Sequence, residues 1–134
     1  MQGNLARVAS TYQQVQVTSR SPLELVVMLY DGAIAALQRA AGALRRDDLV
    51  EKATATSKAL AIVSELQSTL NLEAGGEVAE RLDALYTYIS NRLVESNLTR
   101  QTDPLDEAIR LLSVLRDGWA RIAGSADTDS PASL

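Results

Sequence analysis

The sequence predicts an all-α protein, an antiparallel up-down-up-down four-helix bundle, on three observations. Apolar residues recur at helical spacing through four separate segments, each of about twenty residues. Two of those segments open on a capping residue followed by proline, at Ser21-Pro22 and at Thr102-Asp103-Pro104. The missing N–H of a proline costs nothing in a first turn. The chain is also 46% hydrophobic but only 4% aromatic, with no phenylalanine. A core of Leu, Ala, Val and Ile suits close-packed helices better than a sheet.

The first helix runs from Pro22 on a stripe of Leu25, Val26, Leu29, Tyr30, Ala33, Ile34, Leu37, Ala40, Ala41 and Leu44. Arg45 and Arg46 close it, where cations favour the C-terminal dipole. Asp47 or Asp48 caps the second, whose face is Leu49, Ala53, Thr56, Leu60, Val63, Leu66 and Leu70, with Val50, Ala59 and Ile62 alongside. Gly75-Gly76 stops that helix and starts the third, which reads Val78, Leu82, Leu85, Tyr86, Ile89, Leu93 and Asn97. The fourth follows Pro104 through Leu105, Ala108, Ile109, Leu112, Leu115, Trp119 and Ile122 to Gly124. At 1.5 Å per residue each helix is roughly 30 Å long, and short connections make neighbours antiparallel.

The chain divides into an N-terminal arm (1–21), the bundle (22–124) and a polar tail (125–134), "SADTDSPASL", expected to be disordered. The arm, a short helix or extended segment, carries "YQQVQV" at 12–17. Tyr12, Val15 and Val17 make it too apolar for a solubilising tail, and it is too short to pack alone.

Composition excludes much chemistry. The chain has no cysteine and no histidine, so disulfides, thiolate nucleophiles, imidazole acid–base catalysis and His or Cys metal sites are ruled out. A formal charge of −4 argues against nucleic acid, whose binding rests on phosphate neutralisation. Neither a signal peptide nor a membrane span is expected, since the most apolar window, Leu25 to Leu44, is broken by Asp31, Gln38 and Arg39. A cytoplasmic location follows as the expectation. Ferritin-like sites need Glu-x-x-His spacing; Glu77 and Glu80 are first-turn acids that complement a helix dipole. No catalytic residue, cofactor or metal is predicted.

Tyr30, Tyr86, Asn97 and Trp119 fall on or beside the inward stripes and admit two readings. They are core side chains with polar tips satisfied at the bundle edge, or anchors for an incoming peptide. Val27, Met28, Ala61, Leu98 and Leu111 widen the stripes beyond a strict seam. That width is either a broad core face or surface awaiting a partner.

Four blocks then stand in a specific order and spacing: "VTSRSPLELVVMLYDGAI", "IVSELQSTLN", "LYTYISNRLVESNL" and "LRDGW". From about Tyr12 to Trp119 the chain resembles the flagellin-specific export chaperones of the FliS family. It departs from the family pattern at Arg20, Asn91, Ser96, the turn "TRQTD" and Gly118, the last costing about 0.5–1 kcal/mol against alanine in a helix.

The resemblance implies an antiparallel bundle without enzymatic activity. Its partner would be the C-terminal segment of flagellin, held in the cytoplasm against premature polymerisation and delivered to the flagellar type III export apparatus. An export-gate component is a further candidate partner, and a homo-oligomer is open. Family motifs and apolar anchors together mark Tyr12, Val15, Val17, Met28, Tyr30, Leu66, Leu70, Tyr86, Ile89, Leu93, Asn97 and Trp119 as candidate flagellin contacts. The arm is expected to cover the bundle's apolar surface until flagellin displaces it. The competing reading is a homodimeric helical scaffold for interaction or signalling.

Overall fold

The computed structural model describes residues 21–126. Four helices follow in order: α1 (Pro22–Arg45), α2 (Leu49–Ser68), α3 (Leu72–Ser96) and α4 (Asp103–Ala126). Each helix packs on its two neighbours in a ring, α1 on α2 and α4, and α3 on α2 and α4. Short connections make this an up-down-up-down bundle. No strand occurs among the described residues.

Local chemistry explains the helix starts. The Ser21 hydroxyl accepts from the Glu24 N–H at 3.2 Å while Glu24 Oε1 accepts from the Ser21 N–H at 2.9 Å. This reciprocal box satisfies two otherwise orphaned donors. Asp48, and not Asp47, caps α2, accepting from the Glu51 N–H at 3.1 Å. Asp47 instead takes a positive φ of 59° in the tight turn, a conformation that acidic and amide side chains tolerate better than most. The α4 helix opens at Asp103, with the Asp106 N–H bonding back to the Thr102 carbonyl at 2.9 Å.

The α2–α3 connection corrects the sequence reading. Gly75-Gly76 does not end α2, which stops at Ser68. Asn71 caps a new turn, its side chain accepting from the Ala74 N–H at 3.0 Å. Gly76 then breaks α3 with φ 56° and ψ −133°, a backbone that glycine alone adopts readily. The asparagine's capping preference wins over the glycine pair as the helix start.

Small residues on α1 (Ala33, Ala36 and Ala40) and on α2 (Ala55 and Ala59) belong to one buried core cluster. With little side chain between them, the two axes can approach closely. Leu37, Val63, Ile89, Leu93, Leu105 and Leu112 are wholly buried in the same cluster. The stripes run out at the helix ends, where Leu49, Val78 and Ile122 are exposed. Of the residues that widened the stripes, Val27, Met28 and Leu111 are half-buried, Ala61 is exposed, and Leu98 is 82% exposed. α1 has the length and apolarity of a membrane span by composition; in this fold its apolar face lies against α2 and α4.

Candidate functional site: an apolar groove over a hydroxyl pair

The groove lies at the end of the bundle where α2 turns into α3. The Gly76 break separates the Asn71-capped turn from the body of α3. A concavity of about 440 Å³ opens beneath that turn. Its walls are Val26 and Leu29 from α1, Leu66 and Leu70 from α2 and the following turn, and Leu82 from α3. Tyr86 of α3 and Trp119 of α4 also line it, Thr69 and Asn71 add neutral polar groups at the turn, and no charged side chain lines it. Such a lining suits apolar side chains and offers nothing to a charged ligand.

Beneath the groove sits a buried polar chain. Tyr30 is wholly buried and Tyr86 only 2% exposed. Their hydroxyls share a short hydrogen bond, with the rings tilted and 6.5 Å apart. The Trp119 indole N–H donates to the Tyr30 oxygen at 3.1 Å. Burial raises the pKa of both tyrosines, so both hydroxyls are protonated and neutral across the physiological range. Together with Trp119 the buried pair ties α1, α3 and α4 to one another.

The structure brings Leu66, Leu70, Tyr86 and Trp119 together at this groove, with Tyr30 behind them. It places the other candidates elsewhere. Met28 lines a separate concavity of about 370 Å³ with Val27, Ala120 and Ala123, beside an Asp31–Arg116 ion pair at 2.8 Å. Ile89 and Leu93 are wholly buried in the core and present no surface to a partner. Asn97 is the exposed C-cap of α3, at the far end of the bundle on a concavity of about 260 Å³ shared with Lys52 and Leu98. Tyr12, Val15 and Val17 lie outside the described residues.

Sequence reasoning missed Val26, Leu29 and Leu82 as groove walls because a stripe residue reads as core wherever a neighbouring helix covers it. The available signal was the Gly75-Gly76 pair set against the apolar run of α3, since a backbone break uncovers the stripe beside it. Among the described residues no group of three or more acidic side chains gathers to hold a metal.

The family described as flagellar protein FliS matches residues 5–126 of the chain. The flagellar secretion chaperone FliSB of Pseudomonas aeruginosa is 40% identical over 116 residues, covering 84% of this chain and 92% of that protein. The flagellar secretion chaperone FliS of Salmonella typhimurium is 40% identical over 120 residues, covering 86% and 89%. That of Bacillus subtilis is 34% identical over 120 residues, covering 90% and 89%. A crystal structure described as a flagellar chaperone from bacteria superposes with a TM-score of 0.71 over 92% of this chain and 98% of that one. At 21% identity that likeness speaks for the fold.

Proposed function

Because the chain belongs to the FliS family of flagellar secretion chaperones, which are not enzymes, we propose that its groove seats apolar side chains of the C-terminal segment of flagellin. The chaperone then holds that segment in the cytoplasm, blocks premature polymerisation and presents it to the flagellar type III export apparatus, where an export-gate component is its second partner. The observation that carries this reading is the uncharged groove of about 440 Å³ walled by Val26, Leu29, Leu66, Leu70, Leu82 and Trp119. A segment that orders on binding loses about 2–5 kcal/mol in doing so and needs extensive apolar contact to offset it.

The arm carrying Tyr12, Val15 and Val17 is the natural cover for this surface in the free protein. It joins the bundle at Ser21, five residues before the groove residue Val26, so tethering gives it a high local concentration at the groove. A longer flagellin segment displaces it.

Calorimetric titration with the C-terminal segment of the same organism's flagellin, alongside circular dichroism, tests the reading. Saturable one-to-one binding with a negative heat-capacity change and gained helicity is expected. No binding, with a mass that rises with concentration, sinks it in favour of a homodimeric scaffold. Deleting residues 1–17 separates the arm's roles: tighter flagellin binding marks a cover, weaker binding a direct contact.

A further inference from the structure

We infer that the floor of the groove is a hydrogen-bonding subsite for a neutral carbonyl oxygen, supplied by the apolar segment that docks there. The inference rests on the proposed flagellin-binding reading and specifies what the occupant must carry. It begins with a count of protons. Trp119 has one N–H, and Tyr30 and Tyr86 have one O–H each. Two hydrogen bonds join the three groups, Trp119 to Tyr30 and Tyr30 to Tyr86. Among the described residues, one hydroxyl proton is therefore left over.

Burial decides which. If Tyr86 donated to Tyr30, the Tyr30 oxygen would accept twice and its own proton would have no partner. Tyr30 is wholly buried and does not line the groove, so that proton would be sealed in at full desolvation cost. The opposite direction avoids this. Trp119 donates to Tyr30, Tyr30 donates to Tyr86, and the surplus proton belongs to Tyr86, which does line the groove. Each bond in such a chain polarises the next, making the terminal O–H a stronger donor.

With the groove open, the acceptor for that proton is solvent, reached through the small part of Tyr86 left uncovered where it lines the groove. An apolar segment that expels the solvent must bring its own, or lose on the order of tenfold in affinity for burying an unpaired hydroxyl. The lining specifies the chemistry of this acceptor. No cation borders the groove, so a carboxylate would enter unpaired, which is costly. A neutral carbonyl meets no such cost. In a helical segment it comes from an Asn or Gln side chain on the apolar face, or from a last-turn backbone carbonyl without an intrahelical partner.

The test compares the full-length protein with Tyr86→Phe, which keeps the ring and removes the hydroxyl. Both are titrated calorimetrically with the flagellin segment, and by NMR with N-butylacetamide, a neutral carbonyl on an apolar stem. Flagellin affinity is expected to fall about three- to tenfold in Tyr86→Phe, with the amide response at groove residues weakened in parallel. Equal affinities of the two proteins for both probes overturn the subsite. Absence of flagellin binding together with a Tyr86-dependent amide response overturns the flagellin reading and leaves the subsite standing. Should Tyr86→Phe unfold, infrared difference spectroscopy of the wild type with carbonyl-labelled N-butylacetamide decides, with the spectrum of the free probe in water subtracted: a bound-state stretch below its value in hydrocarbon supports the subsite, and one at the hydrocarbon value overturns it.

Discussion

Lys52, near the start of α2, closes the far end of α3: its buried ammonium donates to the Ser96 carbonyl and, at 3.0 Å, to that of Thr99. The last carbonyls of a helix have no intrahelical donor, and here a lysine from a neighbouring helix supplies one. Burial lowers the pKa of this lysine, and the Arg100 charge acts the same way, so the two carbonyls offset the cost of holding an ammonium there. Lys52→Met keeps the aliphatic stem and removes the donor. It is expected to lose about 1.5–3 kcal/mol, the range for hydrogen bonds to charged groups, in urea unfolding. Flagellin affinity should stay unchanged, because the groove lies at the opposite end of the bundle. A parallel loss of affinity would place the client across this end instead.

The groove and the Met28 concavity compete for the role of docking surface, and paired substitutions separate them. Leu70→Asp sets an unpaired carboxylate at the apolar groove, where no cation lines the wall. Flagellin affinity is expected to fall more than tenfold, as for an interface anchor, while the half-buried position limits the stability loss to about 1 kcal/mol. Met28→Asp changes a side chain on the other concavity and should leave affinity within about twofold, a few tenths of a kcal/mol. The reverse ranking in a titration would move the site to the α1–α4 face.

Three glycines differ in what they require. Gly76 has open space where a Cβ would stand, yet its φ is 56°, so Gly76→Ala should cost about 1–3 kcal/mol through backbone strain alone. Gly75 fails for another reason, since its Cβ would stand 2.6 Å from that of Ala79; Gly75→Ala should displace the turn that roofs the groove and so lower flagellin affinity. Gly118 lies inside α4 with open space around it. Gly118→Ala should therefore gain about 0.5–1 kcal/mol of helix propensity. Thermal unfolding of the three variants checks the order, and a stabilising Gly76→Ala would deny the break in α3.

How much of this was legible in advance depended on whether a residue's role is local. Caps and helix faces are local, so Ser21, the Asp47-Asp48 pair and the stripe from Leu105 to Leu115 could be read directly. The Ser21–Glu24 box is equally local, since serine with a glutamate three residues on is a capping box by spacing alone. Pairings between helices are not local. Nothing in the separate stripes says that Tyr30 and Tyr86, 56 positions apart, share one hydrogen bond, or that Trp119 joins them. Both readings held open for those aromatics meet in one place, since their polar tips bond to one another within the bundle while Tyr86 and Trp119 also border the groove. Ile89 and Leu93 show the converse limit: their spacing marks a face, and only the packing tells that the face is sealed.

Acid sensitivity should centre on Glu107. Its carboxylate accepts from the Tyr88 hydroxyl at 2.8 and 2.9 Å and from Arg92 Nε at 2.6 Å, linking α3 to α4. The tyrosine bond first, and the arginine bond next, hold its pKa below the ordinary carboxylate value. A carboxyl whose pKa is lower in the folded than in the unfolded chain binds fewer protons when folded. The stability it contributes is therefore fully present above the unfolded value of about 4.3 and is lost as pH falls through the folded value. Glu107→Gln removes this contribution. Urea midpoints of the two proteins should differ at neutral pH, with the variant lower, and converge as the pH drops below the folded value. Midpoints that run parallel across that range would show that the Tyr88–Glu107–Arg92 cluster has no part in acid unfolding.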